Sequence, residues 1–197
     1  RQDFERETGI KVKAVFDTEE TKSTGILNRI IAESDNPQCD VFWSGDPVRA
    51  QVLKNRNLLN IYKSPAIEDI NEEFIDPGGQ WIGFSSRARI LLYNKNLMHK
   101  DSVPQSIFDL TKEQYRGKVA IGNPLFGTTS FHIAAMFSMI GDDKGKMFMT
   151  LLKANNIIIA AGNSDVKKMV LTGEVPCGLT DSDDAFGAVK SGAPVGI

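Results

Sequence analysis

Val119–Met136 reads VAIGNPLFGTTSFHIAAM: a short apolar strand, the turn Gly127-Thr128-Thr129-Ser130, and an apolar helix that follows at once. A strand running directly into a helix points to α/β architecture. The first amides of a helix have no intrahelical partner and lie at the positive end of its dipole, so this turn is a natural seat for an anion, and Gly127 lets the backbone come close to one. Ser and Thr are equally ordinary N-cap residues, so taken alone the turn also reads as a plain capped helix.

The same grammar recurs on both sides. Upstream, Gln2–Glu7 reads as a helix closed by Gly9, followed by an alternating strand Ile10–Phe16, a polar turn Asp17–Thr24, a helix Gly25–Glu33 and a strand Cys39–Trp43. That strand ends at Ser44-Gly45-Asp46-Pro47, where another helix begins. Strand C-termini hold the ligands of open α/β sheets, which makes Ser44 and Asp46 site candidates; capping the helix at Pro47 is the competing role. Pro65–Gln80 is an acidic, turn-rich connector, and Trp81–Tyr93 reads as a long extended stretch carrying Arg87 and Arg89, long enough to pass from one domain to another. Downstream the expected elements are helix Ile107–Leu110, strand Lys118–Gly122, the quoted turn and helix, helix Gly145–Ala154, strand Ile157–Ala160, helix Ser164–Thr172 and strand Gly178–Thr180.

Three loops of this second half follow strands: Asn123–Ser130, Gly162–Asp165 and Thr180–Asp184. Strand ends in one sheet face one crevice. Asn163 and Ser164 can cap a helix or point amides at a ligand. Asp181, Asp183 and Asp184 place three carboxylates within four positions, more than a cap requires, and such crowding calls for a nearby cation or ammonium.

Composition narrows the function. The 197 residues, 41% of them hydrophobic, suffice for one large domain or two small ones with a real core. A net charge of −2 and no Lys/Arg cluster give no case for nucleic acid or anionic membrane. No apolar run approaches the roughly 20 residues of a membrane span. The chain opens on Arg1, so a preceding segment able to carry a signal peptide is expected. Cys39 and Cys177 lack metal or redox spacing and are expected to be two buried thiols. His99 and His132 stand outside any Ser/His/Asp pattern, and GxSxG, HExxH, GxGxxG and Walker motifs are absent, so no catalytic residues and no cofactor are expected.

Taken in order, TGIKVK (8–13), CDVFWSGDP (39–47), WIGFSSRARILLYNKNL (81–97), GTTSF (127–131) and NSDVKKMVLTGEVPCGLTDSDDA (163–185) resemble the periplasmic ferric-iron-type solute-binding proteins of ABC importers. That extracellular solute-binding family includes ferric-ion binders and phosphonate binders. The resemblance implies a type II periplasmic-binding-protein fold: two α/β domains, joined by crossing strands, that close on a ligand and deliver it to an ABC permease. On that pattern residues 1–93 are an incomplete first α/β domain plus the first crossing strand, 94–192 the second α/β domain, and 193–197 the start of the second crossing strand. The chain is then a fragment of a protein about half again as long.

The resemblance also carries residue roles. The family's anion-contacting turn corresponds to Gly127, Thr128, Thr129 and Ser130, with Asn163 assisting. The paired tyrosines of iron binders correspond to Asp183 and Asp184, while Tyr62, Tyr93 and Tyr115 lie elsewhere, which leaves phenolate ligation of Fe³⁺ unsupported. A hard cation held by Asp46 with Asp181, Asp183 and Asp184 across the cleft is one option, so the metal question stays open. A small zwitterion such as an aminoalkyl phosphonate fits the charges better: its anion on Gly127–Ser130, its ammonium on the carboxylates, and Arg87 adding a charge-assisted bond. The expected protein is thus a non-catalytic periplasmic, or lipid-anchored extracellular, binder of a small anionic or zwitterionic solute, with a permease as partner and no nucleic acid. A ferric or other hard-cation binder with a synergistic anion, and a ligand-sensing domain of a regulator or receptor, are the alternatives.

Overall fold

Gln2–Thr8 (α1), Thr24–Ala32 (α2) and Pro47–Asn55 (α3) are the helices of the N-terminal part in the computed structural model, which describes residues 1–16 and 24–197. Helix α1 ends at Gly9 in the left-handed conformation, φ 73°, where a residue without Cβ fits freely. The Asp17–Thr24 turn expected from sequence lies, up to residue 23, outside the described residues. Ile10–Phe16 and Cys39–Trp43 are not strands: among the described residues neither is paired in a sheet, and Asp40 stands at a bend. Alternation in sequence does not make a strand by itself, since a strand also needs a partner's carbonyls and amides. Their apolar side chains are correspondingly open, Phe16 at 86% and Trp43 at 78% exposure.

From residue 89 onward the chain forms one five-stranded sheet. Its strands are Arg89–Asn94 (β1), Val119–Gly122 (β2), Ile158–Ala160 (β3), Cys177–Asp181 (β4) and Val195–Gly196 (β5), in the spatial order β3-β2-β4-β1-β5. Strand β2 runs parallel to β3 and to β4, and β1 runs antiparallel to β4 and β5. The expected stretch Trp81–Tyr93 becomes a strand only at Arg89; before that, Ile82 makes an isolated bridge to Ile75. Residues taken from sequence as the two crossing strands, β1 and β5, therefore lie side by side in this sheet.

Helices cover both faces of this mixed sheet, as its parallel β3-β2-β4 part requires. Gly127–Ile140 (α4) and Asp142–Ala154 (α5) enclose a core of Val119, Met136, Phe148, Leu152 and Cys177. Asn163–Thr172 (α6) and Ser182–Lys190 (α7) enclose Leu92, Ala120, Val166, Val170, Ala185 and Val195 on the other face. Adjacent residues Val119 and Ala120 go to opposite cores because side chains alternate along a strand. Val166 and Val170, one turn apart, are fully buried, and each contributes about 1.5–3 kcal/mol. Helix α6 reaches the sheet at Gly178, where a Cβ would run into Val166. Cys177 is buried and its thiol is pushed up to about 12 by burial, but Cys39 is exposed, against the expectation of two buried thiols. Among the described residues no helix is long and apolar enough to cross a membrane.

Candidate functional site

Because β2, β3 and β4 are parallel, their C-terminal ends open at one edge of the sheet, and each runs into a helix there: α4, α6 and α7. Antiparallel β1 brings its start, Arg89, to the same edge. The register pairs Arg89 with Asp181 as Cα partners, the last residue of β4 facing the first of β1. Ala88 and Ser182 fasten this corner further: the Ser182 amide donates to the Ala88 carbonyl at 2.9 Å, and the Ala88 amide to the Ser182 hydroxyl at 3.1 Å.

Four side chains from four elements close a network at this edge. Arg89 Nη1 donates to Asn163 Oδ1 at 2.5 Å and lies 3.1 Å from Asp181 Oδ1, while its Nη2 donates to Thr128 Oγ1 at 3.1 Å. Asp181 Oδ2 accepts from Thr128 Oγ1 at 3.0 Å and from Asn163 Nδ2 at 2.8 Å. Thr128 Oγ1 also accepts from Asn163 Nδ2 at 2.9 Å, and Thr129 Oγ1 donates to Asn163 Oδ1 at 3.3 Å. The Arg89 and Asp181 side chains are only 9% and 7% exposed. Burial pulls the Arg89 guanidinium below its ordinary value; Asp181 opposes that shift and the like charge of Arg87 adds to it. An arginine nonetheless stays protonated, so the pair is ionic. Gly122, at the end of β2, makes the approach possible: a Cβ there would stand 2.7 Å from Thr129 Oγ1 and 3.0 Å from Asn163 Oδ1.

The turn that opens α4 carries no side-chain cap. Its N-cap is Phe126, Ser130 Oγ donates back to the Gly127 carbonyl at 2.7 Å, and the Thr128 hydroxyl is turned to Asp181. No capping oxygen therefore takes the first amides of α4, which suits an anion. Opposite this turn, a Cβ at Gly45 would stand 3.9 Å from Thr128 Cγ2, so the Ser44–Asp46 loop lies against it.

The carboxylates are not left as an unpaired surplus. Asp181 has Arg89. Asp183 pairs with Arg87 at 3.1 Å, both about half exposed, and Asp184 accepts from Lys167 at 2.7 Å. Asp46 caps α3 by accepting the Arg49 amide at 3.2 Å and also pairs with the Arg49 guanidinium; Ser44 Oγ accepts the Asp46 amide at 3.4 Å. Asp46 is thus tied into its own loop, and no bond joins it to the 181–184 carboxylates. Among the described residues no group of three or more His, Cys, Asp or Glu side chains is gathered as a metal-holding cluster. The three tyrosines stay away from this edge: Tyr93 is level with Cys177 at the opposite end of the ladder, Tyr115 donates to the Ser102 carbonyl at 3.0 Å, and Tyr62 is exposed.

Sequence reasoning chose Arg87 as the cation; the buried cation of the site is Arg89. Arg87 remains at the rim, 3.9 Å from Asp181 and half exposed. The other residue not anticipated is His132, on α4 one turn beyond Thr128. Its Nδ1 is buried without a hydrogen-bond partner, as is Arg89 Nε, and both residues line one small cavity of about 10 Å³ with Thr129, Ile133 and Phe148. Burial, and secondarily the charge of Arg89, lowers the His132 imidazole below its ordinary value, while Asp181 pulls the other way. Arg89 directly precedes the apolar run Ile90-Leu91-Leu92, but Arg87 lies two residues before it on the same side of an extended stretch, so sequence carried no local signal that separates them.

Comparison with known proteins agrees with this architecture. The Fe(3+)-binding periplasmic protein of Serratia marcescens is 23% identical over 176 residues, 89% of this chain and 50% of that protein. The putative 2-aminoethylphosphonate-binding periplasmic protein of Salmonella typhimurium is 26% identical over 176 residues, 87% of this chain and 48% of its own length. Iron-bound HitA from Pseudomonas aeruginosa superimposes with a TM-score of 0.88 at 23% identity, covering 99% of this chain and 62% of that one, and it shows the shared fold. The chain spans about half the length of these curated relatives. A bacterial extracellular solute-binding protein model matches residues 36–180, most of the chain, and to that family the chain belongs.

Proposed function

We propose that this chain is the ligand-capturing part of a periplasmic solute-binding protein that serves an ABC permease, and that it takes a small anionic or zwitterionic solute, phosphonate-like, without catalysis. The observation that carries the reading is the convergence of the buried Arg89 with Thr128 and Asn163 beside the uncapped start of α4, at the strand C-termini where α/β sheets hold ligands. Asp183, half exposed in its pair with Arg87, is the carboxylate of this edge most readily released to an ammonium on the ligand's other end. In this assignment the binding residues are Ser44, Asp46, Arg87, Arg89, Gly127–Ser130, Asn163, Asp181, Asp183 and Asp184. The name of the Salmonella relative is in keeping with such a solute.

A ferric or other hard-cation binder with a synergistic anion is the second reading, favoured by the iron-binding names among the relatives. A thermal-shift series on the full-length protein separates the two, since a ligand that binds only the native state stabilises it by about 2.7 kcal/mol at a hundred times its Kd. The proposed reading predicts a rise in melting temperature with 2-aminoethylphosphonate and little change with Fe³⁺ plus citrate or phosphate. The reverse ranking would select the iron reading.

A further inference from the structure

We propose that Asp181 is the resident anion of this site and so its specificity-determining residue: its tethered carboxylate holds the donors a free inorganic anion would need, and a solute anion is admitted only together with a cationic group. The inference rests on the solute-binding reading above and sharpens its substrate class from anion or zwitterion to zwitterion.

Three side chains that would serve an anion, Thr128, Asn163 and Arg89, already turn donors toward this carboxylate. Thr128 Oγ1 and Asn163 Nδ2 donate to Oδ2, and the Arg89 guanidinium faces Oδ1. Positive charge is equally committed, since Arg89, Arg87, Lys167 and Arg49 each have a carboxylate partner in Asp181, Asp183, Asp184 and Asp46. A dianion such as phosphate set beside Thr128 would meet, among the described residues of the site, only cations already paired with carboxylates, and would lie against a carboxylate 7% exposed, where bulk salt screens little. Two features leave room for a zwitterion. The first amides of α4 lack a side-chain cap, so an anionic end has donors besides those Asp181 holds. The Arg87–Asp183 pair is half exposed on both sides and rearranges at little cost, which frees Asp183 for an ammonium.

The alternative is that Asp181 serves the fold alone, as one half of a buried ion pair. Calorimetric titration of the full-length protein and of its Asp181→Asn variant with inorganic phosphate and with 2-aminoethylphosphonate separates the two. Wild type is expected to prefer the zwitterion over phosphate by at least tenfold. Asp181→Asn is expected to bind phosphate at least tenfold more tightly than wild type, a gain that a purely structural role does not produce. An unchanged phosphate affinity in the variant overturns the inference, and if wild type still binds the zwitterion, the solute-binding reading survives it. A phosphate gain in the variant with no zwitterion binding by wild type upholds the resident anion and overturns the proposed solute class. Should the variant fail to fold, crystals of wild type grown in sulfate decide: Asp181 still bonded to Arg89, Thr128 and Asn163 upholds the inference, and a sulfate in its place overturns it.

Discussion

Arg89 and Asp181 stand opposite each other in the β1–β4 ladder and also bond through their side chains, so a buried ion pair and a backbone register share the same two residues. Removing one charge strands the other. Arg89→Met is expected to destabilise by about 3–5 kcal/mol, because a buried carboxylate loses its counter-ion, while Arg89→Met combined with Asp181→Leu recovers much of that loss. Urea unfolding of the two single variants and the double variant measures the coupling; strict additivity would show that the pair does not interact.

Thr128 both donates to Asp181 and accepts from Arg89 and Asn163, so one hydroxyl joins the other three side chains. Thr128→Val keeps the shape and removes that link. The expected loss is about 1–3 kcal/mol from buried donors left unpaired, together with weaker solute binding, read by unfolding and by titration.

At Gly122 the limit is space. Gly122→Ala brings a methyl against Thr129 Oγ1 and Asn163 Oδ1, so either the strand end or Asn163 moves. A destabilisation of about 1–3 kcal/mol is expected. An amide-proton NMR spectrum should show shifts centred on residues 122–130 and 163; a spectrum unchanged there would show that the strand end yields elsewhere.

His132 gives the fold a dependence on acid. Its folded value lies below the ordinary 6.5, so the unfolded chain binds the proton more readily. Stability from this group is complete above about pH 6.5 and declines as pH falls from there toward the folded value. His132→Gln should flatten the fall of the urea midpoint as pH drops below about 6.5, and an unaltered slope there would assign the acid sensitivity to other groups.

The strand-to-helix units of the second half were legible because their signals are local: an apolar run, a Gly turn and an apolar helix within about twenty residues for Val119–Met136. Ile10–Phe16 and Cys39–Trp43 carry the same local signals, yet their strand character depends on a partner that no nearby residue provides. The choice between Arg87 and Arg89 is also non-local. Both have the same parity on one extended stretch, and only the pairing with Asp181, more than ninety residues away, fixes which is buried. The carboxylates of 181–184 looked unbalanced for a similar reason, since their cations come from β1, from Arg87 just before it, and from α6. The Gly127 turn was legible as a helix start; of its two readings the plain side-chain cap is absent, since Phe126 holds the N-cap position and the Thr128 hydroxyl turns to Asp181.

The ladder register has a kinetic corollary. Side chains alternate with a period of two, so sliding β1 by one residue against β4 would carry the Arg89 guanidinium to the other face of the sheet and bring Ile90 toward the polar edge. The site therefore cannot assemble before the sheet has zipped in its native frame, nor persist after it unzips. Amide hydrogen exchange at Leu91 and Leu179, paired in the middle of that ladder, should slow with solute concentration at the rate set by site occupancy, making the centre of the sheet a reporter of events at its edge.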